Sequence, residues 1–279
     1  MNYLLVDRII KNALEEDRVY EDITTLSIVK RGSRAQVELI AKEEGVLCGL
    51  DIFTRTFEIL GDVRVVKHKE EGEEVKPGEI VALIEGDTRV LLTGERVALN
   101  FLQRMSGVAT LANRAAVKLR DYGIKVMDTR KTTPGLRYLE KYAVSVGGGN
   151  NHRFDLSDMS MIKDNHILAA GGIGKAIEAV RKRYPFIKKI EVEVEDLQGL
   201  EEALEGRADI IMLDNMDTDT IRRAVEIIGG RAIVEVSGNM TLERLEELRG
   251  IKIDYVSMGK LTHSARALDL SMKNLRIVE

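Results

Sequence analysis

The sequence holds a single cysteine, Cys48, so no intrachain disulfide can form. No histidine lies near it in sequence, and it reads as a small buried hydrophobe rather than a nucleophile. Tryptophan is absent and aromatic residues make up only 4%. No basic stripe is interleaved with stacking rings, which excludes a nucleic-acid-binding surface. No apolar run approaches the roughly 20 residues needed to span a bilayer. The first residues (MNYLLVDRIIKNALEED) turn charged too early for the apolar core of a signal peptide, so no membrane role and a cytoplasmic location are expected. There is no excess of positive charge either: the net charge is −4. Nothing global recruits a polyanion, and any basic residues that matter must be gathered locally.

What is present is an ordinary globular composition: 279 residues, 44% hydrophobic and 32% charged, with 24 glycines and only 3 prolines. That length suffices for a large barrel, or for one small and one larger domain. Lys, Glu and Arg dominate the charged fraction, which suits a heat-adapted organism. Leu4, Leu5, Ile9, Ile10 and Leu14 have helical spacing over 3–16. Residues 34–42 and 45–50 read as strands, and 51–60 as a helix ending at Gly61. A β-rich stretch punctuated by Gly72, Pro77, Gly78 and Gly86 follows and ends near Arg89–Leu92. Together these make an α+β module of about 100 residues.

The character changes at Thr93. Residues 94–121 read as a long helical segment interrupted at Ser106-Gly107 and closed by Tyr122-Gly123. From 124 onward the chain alternates. Apolar runs at 124–127, 143–146, 159–162, 190–194, 209–213, 232–236 and 253–258 look like buried strands. Amphipathic helices are expected at 172–184, 196–205, 217–228 and 241–249, which argues for parallel βα units. Many strand ends carry polar clusters: Asp128 to Lys131, Lys163 to His166, Glu193, Asp214-Asn215, Ser237 to Asn239, and Ser257 to Lys260. An open sheet gathers ligands at one switch point, whereas a barrel uses many strand ends around one mouth. The expected fold class is therefore α/β: an irregular, incomplete α/β barrel with an N-terminal α+β sandwich-like domain.

Three features carry chemistry. Arg130, Lys131, Arg153 and Lys163, with His152, form the densest basic cluster, and GGGNNHRF at 147–154 lets backbone approach a ligand closely. Taken singly each is an ordinary solvated charge; together they imply a polyanionic ligand such as a dicarboxylate or phosphate. Glu193 and Asp214 follow apolar runs. Strand alternation puts Glu191, Glu193 and Glu195 on one face, and a buried carboxylate needs a cation or metal. Mg²⁺, ribose hydroxyls, a developing positive charge or a structural salt bridge would each fit. Lastly, the turns Ser237-Gly238-Asn239 and Ser257-Met258-Gly259 suit phosphate held on backbone N–H groups.

These residues resemble the quinolinate phosphoribosyltransferases over essentially the whole chain. The matching blocks include GERVALNFLQRMSGVAT at 94–110, DTRKTTPGLR at 128–137 and KYAVSVGGGNNHRFDLSDMSMIKDNH at 141–166. Further blocks are EVEVE at 191–195, IMLDN at 211–215, VEVSGN at 234–239 and DYVSMGKLTHSARALDLS at 254–271. The resemblance implies a sandwich-like domain at 1–104, joined by 267–279 through a last helix, and a barrel at 105–266. It implies a homodimer or higher oligomer in which Arg96 reaches the neighbour's site. It also implies that Arg96, Arg130, Lys131, His152, Arg153 and Lys163 hold the two carboxylates of quinolinate. Lys131 and Lys163 would also meet the pyrophosphate of the phosphoribosyl donor, Glu193 and Asp214 the ribose hydroxyls and Mg²⁺. The backbone at 237–239 and 257–259 would take the 5-phosphate, with Thr129 and His263-Ser264 beside the pocket. Lys131, or a bound water, is the expected proton donor after decarboxylation. A relative acting on another pyridine, such as nicotinate, is the rival enzyme reading. A lipoyl- or biotin-type carrier hairpin, suggested by Gly72-x-x-Val75-x-x-Gly78, lacks the modifiable lysine because Thr88-Arg89 follows Asp87.

Overall fold

The computed structural model describes residues 1–278 and divides into two compact units. The first takes residues 1–113, 133–147 and the C-terminal stretch from 265; the second takes 114–132 and 148–264. These boundaries differ from the expected 1–104 and 105–266. The first unit keeps more of the long helix and also claims 133–147.

In the first unit, the strand Arg34–Ala41 alternates inward Ala35, Val37, Leu39 and Ala41 with half-exposed neighbours. It sits inside a four-stranded antiparallel sheet, in the order Leu270–Val278, Arg34–Ala41, Ile80–Asp87, Val63–Lys67. The helix Leu50–Leu60 packs Phe53 and Phe57 into the same core, edge to face at 5.1 Å, with Leu91, Leu99 and Leu102 beside them. Burying each such side chain stabilises by about 1.5–3 kcal/mol. Glu71 starts that helix: its carboxylate accepts from the Gly49 amide at 2.9 Å and the Leu50 amide at 2.7 Å. The N-terminal helix Tyr3–Glu16 forms where its spacing expects it, but Leu4 is exposed and the buried face is Val6, Ile10 and Leu14.

Four expectations are corrected here. The strand expected at 45–50 is only Gly45–Val46, because the helix begins at Leu50. The long helix runs unbroken as Thr88–Leu119. Ser106-Gly107 is a packing feature: Ser106 Oγ accepts from the Cys48 amide at 2.9 Å, and a Cβ on Gly107 would lie 2.0 Å from the Arg266 carbonyl oxygen. Residues 143–146 end the helix Arg137–Val146, because Leu139, Ala143 and Val144 share a buried face whose period is helical. The last element is the strand Leu270–Val278, not a helix; it pairs antiparallel with Arg34–Ala41, so sheet hydrogen bonding decides its state. Cys48 is fully buried and burial pushes its thiol well up, as an inert residue requires.

The second unit is built on six parallel strands, in the order Lys125–Met127, Tyr255–Ser257, Ile233–Ser237, Ile210–Asp214, Ile190–Val194, Ser160–Ile162. Its first strand thus pairs with its last. The one open seam lies between Lys125–Met127 and Ser160–Ile162, bridged only from Met127 to Asn150 among the described residues. This is the irregular, incomplete barrel expected, with six strands rather than seven because 143–146 is helical. The helices Ile173–Arg183, Leu197–Glu205 and Thr218–Ile228 lie where the periodicity puts them. Asp196 and Asp217 cap two of them, each accepting one amide N–H at 2.7 Å. The stretch 241–249 shrinks to Arg244–Glu247, and Asp164–Ala170 is an additional short helix. No helix among the described residues is long and apolar enough to cross a membrane.

Candidate active site

A cavity of about 340 Å³ opens in the second unit, lined by Thr129, Arg130, Lys131, His152, Arg153, Lys163, Glu193, Asp214, Ser237 and Ser257, with Met161 and Met212. Parallel strands explain why residues so distant in sequence meet, since their C-terminal ends share one mouth. Arg130 and Lys131 follow Lys125–Met127, Lys163 follows Ser160–Ile162, and Asp214 ends Ile210–Asp214. Lys131 is anchored through its backbone: its amide donates to Thr129 Oγ1 at 3.0 Å and its carbonyl accepts from Thr262 Oγ1 at 2.9 Å. Its side chain packs on Gly259, where an added Cβ would meet Lys131 Cδ at 3.1 Å.

The cations and carboxylates are already organised against each other. Lys163 Nζ donates to Glu193 Oε2 at 2.7 Å, and the Glu193 side chain keeps only 14% of its exposure. Arg153 Nη1 donates to the Met159 carbonyl at 3.0 Å. Burial, and then the nearby Arg130 guanidinium, push the Arg153 pKa down. Arg153 remains charged in water, so this unfavourable energy is what a bound dianion would relieve. On the far wall, Asp214 Oδ2 accepts from Asn215 Nδ2 at 2.5 Å. Asn215 Oδ1 in turn accepts from Asn239 Nδ2 at 3.2 Å. Gly238 has φ +97, and a Cβ there would sit 2.3 Å from Asn215 Oδ1, so only glycine permits this turn.

Most of the expected residues are therefore brought together. Gly238, Asn239, Met258 and Gly259 flank Ser237 and Ser257 without themselves lining the cavity. Glu195 is exposed, while Glu191 is fully buried below Glu193. Arg96 is elsewhere: it is an exposed residue of the first unit, lining a cavity with Asn100, Arg104 and Thr133. Sequence reading missed Glu235, which is wholly buried, accepts a hydrogen bond from Ser257 Oγ, and lies 3.6 Å from His152 Nε2. Its signal was available: in Ile233–Ser237 alternation puts Glu235 on the face of Ser237, a cavity residue. Burial, reinforced by the charge of Glu191, pushes the Glu235 carboxyl up to about 7.

Comparison with known proteins decides the family. The model of the quinolinate phosphoribosyl transferase C-terminal domain matches residues 108–273, and that of the N-terminal domain matches 22–106. The chain belongs to the quinolinate phosphoribosyltransferase family. It is 44% identical over 273 residues to a probable nicotinate-nucleotide pyrophosphorylase [carboxylating] of Bacillus subtilis (strain 168), covering 98% of this chain and 94% of the relative. A protein of the same description from Methanocaldococcus jannaschii is 43% identical over 278 residues, covering 96% and 97%. Among solved structures, NadC from Streptococcus pyogenes superposes with a TM-score of 0.96 at 48% identity, over 100% of this chain and 99% of that one. Within this family, the six-strand unit with its cationic cavity corresponds to the C-terminal domain match.

Proposed function

We propose that this quinolinate phosphoribosyltransferase family member transfers the phosphoribosyl group of phosphoribosyl pyrophosphate to quinolinate. The products are nicotinate mononucleotide, pyrophosphate and carbon dioxide, a step of de novo NAD biosynthesis. One observation carries the reading: a single cavity sets Arg130, Lys131, Arg153 and Lys163 opposite Glu193 and Asp214. Both substrates are polyanions, and the transition state between them carries positive charge on the sugar.

Arg130 and Arg153 take the two carboxylates of the acceptor, the planar guanidinium matching a carboxylate with two donors. Lys131 and Lys163 meet the donor's pyrophosphate, and the turns at 237–239 and 257–259 hold the 5-phosphate on backbone N–H groups. As the bond from ribose C1 to pyrophosphate oxygen breaks, positive charge develops on the ring. Glu193 and Asp214 stabilise it electrostatically. The pyridine nitrogen then forms the new bond to C1. Its positive charge lets the adjacent C–C bond break, carbon dioxide leave and the electron pair remain on the ring carbon, where a proton from Lys131 or water replaces it.

Two hard carboxylate donors beside a phosphate-binding pocket fit Mg²⁺, which takes one or two protein carboxylates together with substrate phosphates. Glu193 and Asp214 would hold it, and bound there it would neutralise charge on the departing pyrophosphate. A soluble homodimer is part of the same reading. Arg96, exposed on the first unit, would complete the cationic pocket of a neighbouring subunit. Recovery of activity on mixing inactive Arg96→Ala and Lys131→Ala proteins would support that arrangement.

The direct test incubates the protein with quinolinate, phosphoribosyl pyrophosphate and Mg²⁺, following nicotinate mononucleotide by chromatography, with nicotinate as a parallel acceptor and chelator as a control. Product from quinolinate alone, abolished by chelator, is expected. Product from nicotinate alone would mean a non-decarboxylating transferase.

A further inference from the structure

Beneath the cavity lies a polar cluster that the reaction, as described, leaves unused. His152, Glu191 and Glu235 are all buried, the two glutamates completely, on three different segments of the second unit. His152 Nε2 is 3.1 Å from Glu191 Oε2 and 3.6 Å from Glu235 Oε1. His152 Nδ1 accepts the Arg153 amide N–H at 2.7 Å. An imidazole whose Nδ1 accepts is neutral and must carry its proton on Nε2, the nitrogen nearest the two carboxylates though outside hydrogen-bond geometry with them.

The carboxylates are costly where they are. Neither oxygen of Glu191 accepts a hydrogen bond, and Glu235 has one, from Ser257. Apolar side chains of similar volume would commonly be as stable or more so. Stability therefore does not explain the pair, whereas holding the N–H side of a neutral imidazole through its dipole does. The segment between the helix Arg137–Val146 and the strand Ser160–Ile162 forms no regular element beyond one bridge residue, Asn150. Its course relies on two hydrogen bonds, the His152 amide on Asp128 Oδ1 at 2.9 Å and the Asn150 amide on the Val126 carbonyl at 2.8 Å, and on the approach of the imidazole Nε2 to within 3.1 Å of Glu191. Arg153 is the next residue along. The three ligand-type atoms lie within 4.8 Å of one another, a spacing that also suits a metal ion. The guanidiniums of Arg130 and Arg153 and the ammonium of Lys163 stand around the same cavity, and their charge disfavours a further cation there.

We propose that Glu191 and Glu235 are positioning residues, which clamp the His152 imidazole from below and, through the 152–153 backbone, set the direction in which Arg153 meets the carboxylate of the acceptor. The inference rests on the reading of Arg153 as an acceptor-binding residue. It assigns work to two side chains that touch neither substrate.

The test is a double-mutant cycle read in steady-state kinetics, with Glu191→Gln and Glu235→Gln each made in wild-type and Arg153→Ala backgrounds. Each substitution alone is expected to raise KM for quinolinate about tenfold and leave KM for phosphoribosyl pyrophosphate within about twofold. In the Arg153→Ala background the same substitutions should change quinolinate KM by less than about twofold, because residues acting through one another are non-additive. Undiminished effects in that background, or equal movement of both KM values, would overturn the proposal. So would a stoichiometric metal found by elemental analysis and lost in Glu235→Gln. If Glu191→Gln does not fold, Glu235→Gln carries the cycle alone, with Glu191 still opposite the imidazole. A readout independent of turnover comes from NMR of protein labelled with heavy nitrogen at histidine. His152 should be protonated at Nε2 and bare at Nδ1, and either carboxylate substitution should shift the Nε2 signal. The opposite tautomer removes the clamp even where activity is normal, whereas the expected tautomer in a protein that does not use quinolinate would fault the assigned substrate.

Discussion

Replacing Gly107 by alanine sets two effects of opposite sign against each other, and their sizes decide the outcome. Gly107 lies in the interior of the helix Thr88–Leu119, where alanine is intrinsically favoured by about 1 kcal/mol. Against this, the new methyl would lie 2.0 Å from the Arg266 carbonyl oxygen and 3.0 Å from Ala267 Cα, where ordinary contact begins at 3.4 Å. The obstacle is backbone, so no rotamer change relieves it, and the segment must retreat by more than about 1 Å, a displacement in the range where overpacking costs roughly 1–3 kcal/mol. Retreat also strains the bonds that tie this segment to the helix. Leu268 N donates to the Gln103 carbonyl at 3.0 Å, Gln103 Nε2 to the Leu270 carbonyl at 2.7 Å, and Arg104 Nη1 to the Ala265 carbonyl at 2.8 Å. Each is worth about 1 kcal/mol. Losing one or two of them brings the net effect to a destabilisation of roughly 1–4 kcal/mol after the propensity gain is subtracted. The assay is the denaturant midpoint, with Gly174→Ala as control. Gly174 is also helical but has nothing within 4 Å of an added Cβ, so its change should be neutral or stabilise by up to about 1 kcal/mol. A Gly107→Ala protein as stable as the wild type would refute the close approach, and with it the packing account of Ser106-Gly107.

Glu235 should make stability depend on pH in an unusual direction. Its carboxyl, raised from 4.5 to about 7 by burial and by Glu191 against the opposing pull of His152, Ser257 and Lys163, favours the protonated form in the fold. That contribution is complete below pH 4.5 and is lost as pH rises through 7. Denaturant midpoints between these limits should fall less steeply with pH in Glu235→Gln than in the wild type, by at least about 1 kcal/mol over the window, and parallel profiles would contradict the assignment. Lys163→Met takes away the cation 2.7 Å from Glu193 and the contact expected for pyrophosphate. Its kcat/KM should fall by about 10² or more, with the protein still folded by thermal melt, and a loss under tenfold would remove Lys163 from the machinery.

Much of this molecule was legible in its sequence because its signals are local. Leu4, Leu5, Ile9, Ile10 and Leu14 announce a helix by spacing, although the face it buries is Val6, Ile10 and Leu14, and the helices expected from 196 and 217 start at the caps Asp196 and Asp217. The polar residues after apolar runs marked the mouth of the barrel, since parallel strands all end on one side. Long blocks such as DTRKTTPGLR and GGGNNHRF carried the family. Ten of the cavity's twelve lining residues, all but Met161 and Met212, were thus open to reading before any coordinates, including Glu193 and Asp214.

Tertiary structure alone decided the rest, wherever the deciding partner is remote in sequence. AVSV at 143–146 has strand composition, but the buried face it shares with Leu139 makes it the end of a helix. The C-terminal segment from 270 becomes a strand because Arg34–Ala41 offers it an edge, a partner at the opposite end of the chain. Ser106-Gly107 looks like a break and is a contact, because the carbonyl of Arg266 fills the space a side chain would need. His152 reads as one more basic residue of the cluster, and only the fold shows that its Nδ1 accepts the Arg153 amide while its Nε2 lies 3.1 Å from the buried Glu191. Spacing and propensity report what a residue's neighbours along the chain allow. Which buried charge faces which imidazole, and which backbone approaches which glycine, depend on packing between segments, and only the folded chain holds that information.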